Sequence, residues 1–193
     1  MANRNTVGFG LNATGTMGSN YTNQGQSNYF IDAGDATAIY NGQPVKLTTG
    51  YIVTATAAIT NNALGVFNGC FYNAATTQKP TWQNYYSQVT PANSENITAF
   101  VIDNPHQLYV GMIDTAIPIA NMGKTFGFDT TTGSTASGQS TNKMLLAGAH
   151  ATNNTWRSVR IAEDPENEDI TVANCSVVFV QNLNQYNNGV TMS

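Results

Sequence analysis

The sequence predicts a mainly β protein: a compact β-barrel or β-sandwich body over 29–193, carrying an extended N-terminal arm over 1–28. Three observations lead there. Apolar and polar residues alternate over short runs, as in 50–60, where Tyr51, Val53, Ala55, Ala57 and Ile59 share one face and Thr54, Thr56 and Thr60 the other. Gly, Asn and Pro turn signals recur at short intervals between those runs. Nowhere do apolar residues hold the i, i+3, i+4, i+7 spacing of an amphipathic helix for three turns. At 193 residues the chain is long enough for one domain with its own core.

The arm comes first. Nineteen of residues 1–28 are Asn, Gly, Thr, Ser or Gln, and Arg4 is the only charged side chain among them. Such a segment buries too little surface to offset its backbone entropy alone. Phe9, Leu11 and Tyr21 are costly to leave in water, so the arm is expected to order against another surface. Deleting 2–28 is then expected to leave a folded body. In the body, 36–40 and 43–48 flank Asn41-Gly42, a hairpin signal. Val45 and Leu47 should point inward and Lys46 outward, with Pro44 at an edge or a strand start. Further strands are read at 63–72, 97–103, 107–113, 156–162 and 170–182. Asn68-Gly69 is either a second hairpin turn or a bulge. In the last strand Ala173, Cys175, Val177 and Phe179 share a face while Val178 and Val180 take the other, so its end should be buried on both sides. A single helical turn, limited by Pro118, fits 114–123, and 129–142 reads as a polar loop.

Composition excludes several function classes. Only 9% of residues are Asp, Glu, Lys or Arg, against about 25% in an average domain, while 26 Thr and 25 Asn make up about a quarter of the chain. Seven dispersed cations on a chain of net charge −4 are no nucleic-acid footprint. No apolar run approaches the roughly 20 residues of a membrane helix; the longest are 99–102 and 177–180. The N-terminus lacks a basic segment followed by an apolar run, so synthesis in the cytoplasm is expected. Five N-x-S/T sequons, beginning at Asn12, Asn20, Asn96, Asn153 and Asn174, are read as incidental. Cys70 and Cys175, far apart and outside any CxxC pair, are expected to be buried free thiols. His106 and His150 belong to no HExxH or HxH pattern, and there is no GxSxG, P-loop or GxGxxG. The reading is a protein without enzymatic activity, cofactor or metal.

Two features point to binding. Glu163, Asp164, Glu166, Glu168 and Asp169 gather five of the eleven acids within seven residues. They are a solvated turn, a docking patch with Arg157 and Arg160 as internal partners, or a Ca²⁺ loop, although the EF-hand spacing and its Gly are missing. Trp82, Tyr85 and Tyr86 lie together in KPTWQNYYSQ (79–88). They cap the body, anchor a protein interface, or form a platform for sugars.

Several segments taken in order carry a family likeness: NGQPVKL (41–47), ALGVFNGCFY (63–72), AFVIDNPHQLYV (99–110), GSTASGQST (133–141), VRIAEDPENED (159–169) and VVFVQNLNQ (177–185). Their sequence and spacing, over roughly 36–185, resemble the head decoration (cement) proteins of tailed double-stranded-DNA bacteriophages, of the type found in marine and cyanobacterial phages. That resemblance implies a virion protein on the outer capsid surface, with the major capsid protein of the same phage as partner. It implies a homo-oligomer, a trimer before a dimer, and no catalytic residue. Phe9, Leu11, Tyr21, Trp82, Tyr85 and Tyr86 are then the candidate capsid contacts, and the acidic turn a candidate docking element. A receptor- or glycan-binding virion module, such as a knob or fibre tip, is the alternative, and another structural subunit a third.

Overall fold

The computed structural model describes residues 3–18, 25–55, 63–129, 132–150 and 154–186. In chain order the strands are β1 (Asn12–Thr16), β2 (Gln26–Ile31), β3 (Pro44–Thr48), β4 (Tyr51–Thr54), β5 (Gly65–Asn73), β6 (Pro80–Gln83), β7 (Ile97–Ile102), β8 (Gln107–Met112), β9 (Thr125–Phe128), β10 (Met144–His150), β11 (Trp156–Ile161) and β12 (Ser176–Gln181). They form two antiparallel sheets packed together, the β-rich body the sequence predicts. The first runs β1-β8-β12-β11-β9-β10 and the second β2-β7-β5-β3-β4, with β6 on β5. A 3₁₀ turn at Ile119–Asn121 fills the place of the expected helical turn.

Each sheet backs onto a core. Against the first lie Tyr109, Phe126, Phe128, Met144, Trp156, Val177 and Phe179, with edge-to-face pairs Tyr109–Trp156 at 5.3 Å and Phe126–Phe179 at 5.6 Å. The second encloses Ile31, Ile39, Val45, Leu64, Phe67, Cys70, Tyr86, Ile97 and Val101. Ala55, Ala63 and Val66 reach from the second sheet's side into the first core and join the two. All six residues of β12 are buried, as its two-sided apolar pattern predicts, because β8 and β11 flank it and both its faces are covered.

Two local expectations are corrected, the hairpin at Asn41-Gly42 and the start of the last strand. Asn41-Gly42 does make a turn, Gln43 N–H donating to the Tyr40 carbonyl at 3.1 Å, but its flanks do not pair. Ile39 bridges to Tyr86, and β3 pairs with β4 through Thr49-Gly50. At that loop both φ angles are positive, 50° and 90°, the backbone a tight two-residue hairpin requires. In β4 it is Ile52 that is fully buried, while Tyr51 and Val53 are half-buried; alternation marks two faces without saying which is inside. Positions 56–60 of that run lie outside the described residues. The last strand starts at Ser176 and not at 170, because Asn174 sits at φ 68°, which an extended ladder cannot hold.

The described residues of the expected arm join both sheets. β1 pairs with β8, β2 pairs with β7, and the boundary at residue 28 falls inside β2. Leu11 is only 2% exposed and belongs to the first core. β1 takes the sheet edge beside β8 and β2 the sheet edge beside β7.

Asn68-Gly69 is a bulge. Against β7 the register slips between Phe67 and Gly69, and Gly69 takes φ 128°. The bulge divides β5: Gly65 and Val66 pair with β3, whereas Cys70–Asn73 pair with β6. The C-terminal segment then straps the sheets together. Leu47 N–H donates to Gln185 Oε1 at 2.6 Å and Gln185 Nε2 donates to the Leu47 carbonyl at 3.0 Å. Gln181 and Asn184 bond the carbonyls of Ala63 and Leu64.

Candidate interaction face

Directly opposed residues of antiparallel strands share a face. In the second sheet Ile97, Ala99 and Val101 of β7 and Cys70 and Tyr72 of β5 point into the core. Their sequence neighbours therefore point out. Phe30 of β2 opposes Thr98, Thr98 opposes Phe71, and Phe71 opposes Trp82 of β6. The result is one row across four strands in which Phe30 is 51%, Phe71 39% and Trp82 59% exposed. Phe100, half-buried, stands in the next row, opposite Asn28 and Gly69. The Trp82 ring lies over the bulge, since a Cβ on Gly69 would come within 3.1 Å of its Cζ2.

Beside this row a cleft of about 290 Å³ opens where the N-terminal segment meets the second sheet. Asn12, Gln26, Asn41, Asn68 and Gln107 line it over Val66 and Ile102, and its lining holds no ionisable side chain. The amides are wired to one another. Asn41 Nδ2 donates to Asn68 Oδ1 at 3.2 Å, and Asn68 Nδ2 to Gln26 Oε1 at 2.8 Å. Gln107 Nε2 is held by the Gly15 carbonyl at 2.7 Å. Such a lining offers neutral donors and acceptors in fixed directions.

Of the aromatic trio read from the sequence, only Trp82 is on this face. Tyr85 is half-buried and stacks on Tyr40, centroids 5.7 Å apart and planes 2° from parallel. Tyr86 is fully buried and its hydroxyl donates to the Asp35 carbonyl at 2.6 Å. Burial, with the charge of Asp35 adding to it, pushes that phenol up to about 12. Neither can belong to a flat platform. Phe9 is half-buried, its carbonyl accepting from Gln139 Nε2 at 2.7 Å. Leu11 is buried in the core, and Tyr21 lies outside the described residues. Sequence reasoning missed Phe30, Phe71 and Phe100. Each is an aromatic out of phase with the buried residues of its own strand, but only the register aligns them.

The acidic turn is occupied by the chain's own N-terminus. Asn3 Nδ2 donates to the carbonyls of Asp169 and Ala173 at 3.0 and 2.8 Å. Asn167 donates through Nδ2 to the Asn5 carbonyl at 2.7 Å and accepts from the Asn5 N–H at 3.0 Å. Arg4 pairs with Glu166 at 3.0 Å, both well exposed. Asp164 accepts from the Ser176 hydroxyl, and Thr171 donates both its hydroxyl and its N–H to Asp169, whose carboxyl is held at about 2. Glu163 and Glu168 are exposed. The expected internal partners are misplaced: Arg157 bonds Asn182 and the Gly123 carbonyl, and Arg160 is exposed. Among the described residues no His, Cys, Asp and Glu group is arranged to hold a metal ion.

His106 is exposed in the turn between β7 and β8, with its N–H on Asn104 Oδ1; the side chain of His150 lies outside what the structure describes. Cys70 and Cys175 are buried and free. Burial pushes their thiols up to about 12 and about 11, so thiolate, the nucleophilic form, is scarce. No helix among the described residues is long and apolar enough to cross a membrane. Comparison with protein-family models, curated proteins and solved structures finds no match for this chain.

Proposed function

We propose that this chain is a virion structural protein that docks on the outer surface of an expanded icosahedral capsid and bridges major capsid protein subunits. The observation that carries the docking face is the row Phe30, Thr98, Phe71, Trp82 on a sheet pinned by the bulge. Exposed Trp and Phe on a rigid element are what interface centres are made of, and the flanking Gln26, Asn28 and Asn73 supply a polar rim. The ordered motifs over 36–185 supply the partner. A protein that binds only the assembled shell stabilises it by mass action. A homotrimer engaging several subunits at once multiplies weak contacts.

The test is co-sedimentation of the purified protein with emptied, expanded capsids. Saturation at a fixed ratio to shell subunits is expected. The variant Phe71→Ser/Trp82→Ala should bind about 30-fold more weakly, as loss of a hot spot worth about 2 kcal/mol implies. Undiminished occupancy by that variant overturns the docking face, and absence of any co-sedimentation overturns decoration itself.

A glycan-binding virion module is the second reading. It is favoured by the uncharged, amide-lined cleft with Trp82 standing over the neighbouring bulge. Neutral saccharides that quench Trp fluorescence in the parent protein, and no longer bind after Asn68→Leu, would replace the first reading.

A further inference from the structure

The cleft beside the aromatic row has more hydrogen-bonding capacity than the chain itself uses. Gln107, at the start of β8, lines it and is only 3% exposed. Its Nε2 is fixed by two carbonyls, that of Gly15 at 2.7 Å and that of Leu108 at 3.2 Å. Carbonyls only accept, so the carboxamide cannot be turned round. Oε1 is left over, and among the described residues nothing donates to it. An acceptor on a side chain this buried costs free energy unless something reaches it, and the cleft is the way in.

The neighbouring amides leave capacity of the complementary kind. Asn12 Oδ1 accepts from Gln139 Nε2 at 3.3 Å, and Gln26 Oε1 accepts from Asn68 Nδ2 at 2.8 Å. The NH₂ groups of Asn12 and Gln26, and Asn41 Oδ1, have no partner among the described residues. The cleft thus offers donors on Asn12 and Gln26, acceptors on Asn41 and Gln107, and no charge. Peptide groups carry the matching pair, one N–H and one C=O each. A strand edge lies alongside. Asn12 and Ala13 of β1 line the cleft, and β1 is the outermost strand of the first sheet, with β8 on one side and no strand on the other. Extended peptides add to such edges through their main chain. A charged side chain would enter without a counter-charge, at a cost that selects against it. At about 290 Å³ the cleft takes a short stretch of chain.

We propose that the cleft holds a short, extended, uncharged segment of the major capsid protein, laid along β1 with its peptide groups paired to these carboxamides. This rests on the docking reading above and divides the labour of the face. The aromatic row supplies apolar area, which is permissive. The cleft supplies direction and register, because its donors and acceptors are held in place by the chain's own hydrogen bonds.

The double variant Asn12→Asp/Gln26→Glu tests this. Each change keeps the oxygen that Gln139 or Asn68 donates to and removes the unused NH₂ group, so the melting temperature should hold. Parent and variant are co-sedimented with emptied, expanded capsids at about 1 M salt, where the Debye length is about 3 Å and general charge repulsion is screened. The variant should bind at least tenfold more weakly. In the parent chain, hydrogen exchange of the outward amides within 12–16 should slow at least tenfold on the shells; this measurement needs no variant and stands if the variant folds poorly. Equal binding by the folded variant, or amides in 12–16 that exchange no more slowly on the shells, overturns the proposal and leaves the docking reading in place. Absence of co-sedimentation by the parent overturns both. A dextran oligosaccharide bound by the parent and not by the variant assigns the cleft to a sugar and overturns the peptide.

Discussion

Gly69 and Trp82 touch but carry different burdens. Trp82 is 59% exposed, so Trp82→Ala should change stability by no more than about 0.5–1 kcal/mol while weakening whatever binds the face. Gly69→Ala should do the reverse. At φ 128° a side chain is strained, and the new Cβ would stand 2.9 Å from the Gln83 carbonyl oxygen as well as against the indole. A cost of about 1–3 kcal/mol is expected, read as a lower urea midpoint with an unchanged slope. The sequence showed the dipeptide Asn68-Gly69 and left turn and bulge equally open. The two conformations share the same local residues, and what decides between them is the strand beyond: Cys70, Phe71 and Tyr72 continue β5, alternating between core and solvent.

At the level of elements, strand positions were legible and strand partners were not. Alternation found β5, β7, β8 and β11 within a residue or two, because it is a local property of a half-buried ladder. Pairing depends on residues far apart, so Asn41-Gly42 carries the hairpin signal while Thr49-Gly50 makes the hairpin. The polar composition of 1–28 concealed β1 and β2 for the same reason, since an edge strand needs hydrogen-bonding backbone more than apolar side chains. One consequence is measurable. Deleting 2–28 removes β1 and the start of β2 with Leu11 from the core, so a marked fall in melting temperature is expected in place of an intact body. A milder variant isolates the strap over the acidic turn. Asn167→Ala leaves the Asn5 and Asn174 carbonyls and the Asn5 N–H without their partner, at a cost of about 1–3 kcal/mol.

Across the whole molecule, neutral amides do the work that charges do elsewhere. The one ion pair among the described residues is the exposed Arg4–Glu166 contact, whereas Asn3, Asn142, Asn167, Gln181 and Asn184 are buried and bonded to backbone. Low charge and abundant Asn are visible in the composition; the structure shows many of those amides turned inward. The groups that do titrate point to alkaline sensitivity. Burial raises Tyr29 and Tyr109, takes Tyr86 to about 12 and takes Cys70 to about 12. Each keeps its proton in the folded chain at a pH where the unfolded chain has released it. Stability should therefore be level from neutral pH up to about 8.5, where free thiols begin to ionise, and fall steeply as pH rises through about 10. Unfolding free energy measured by urea between pH 7 and 11 checks this, and a flat profile to pH 11 would contradict it.

The central place of β12 has a bearing on biosynthesis. A ribosome delivers β8 well before, and β11 shortly before, the strand that belongs between them, and it delivers Leu47 long before the Gln185 amide that caps it. Until residues 176–185 emerge, the first sheet exists as two halves with facing edges open, each a template for the wrong neighbour. Completion of the first sheet therefore waits on residues 176–185, and a nascent protein stalled short of β12 is exposed to aggregation for as long as it waits.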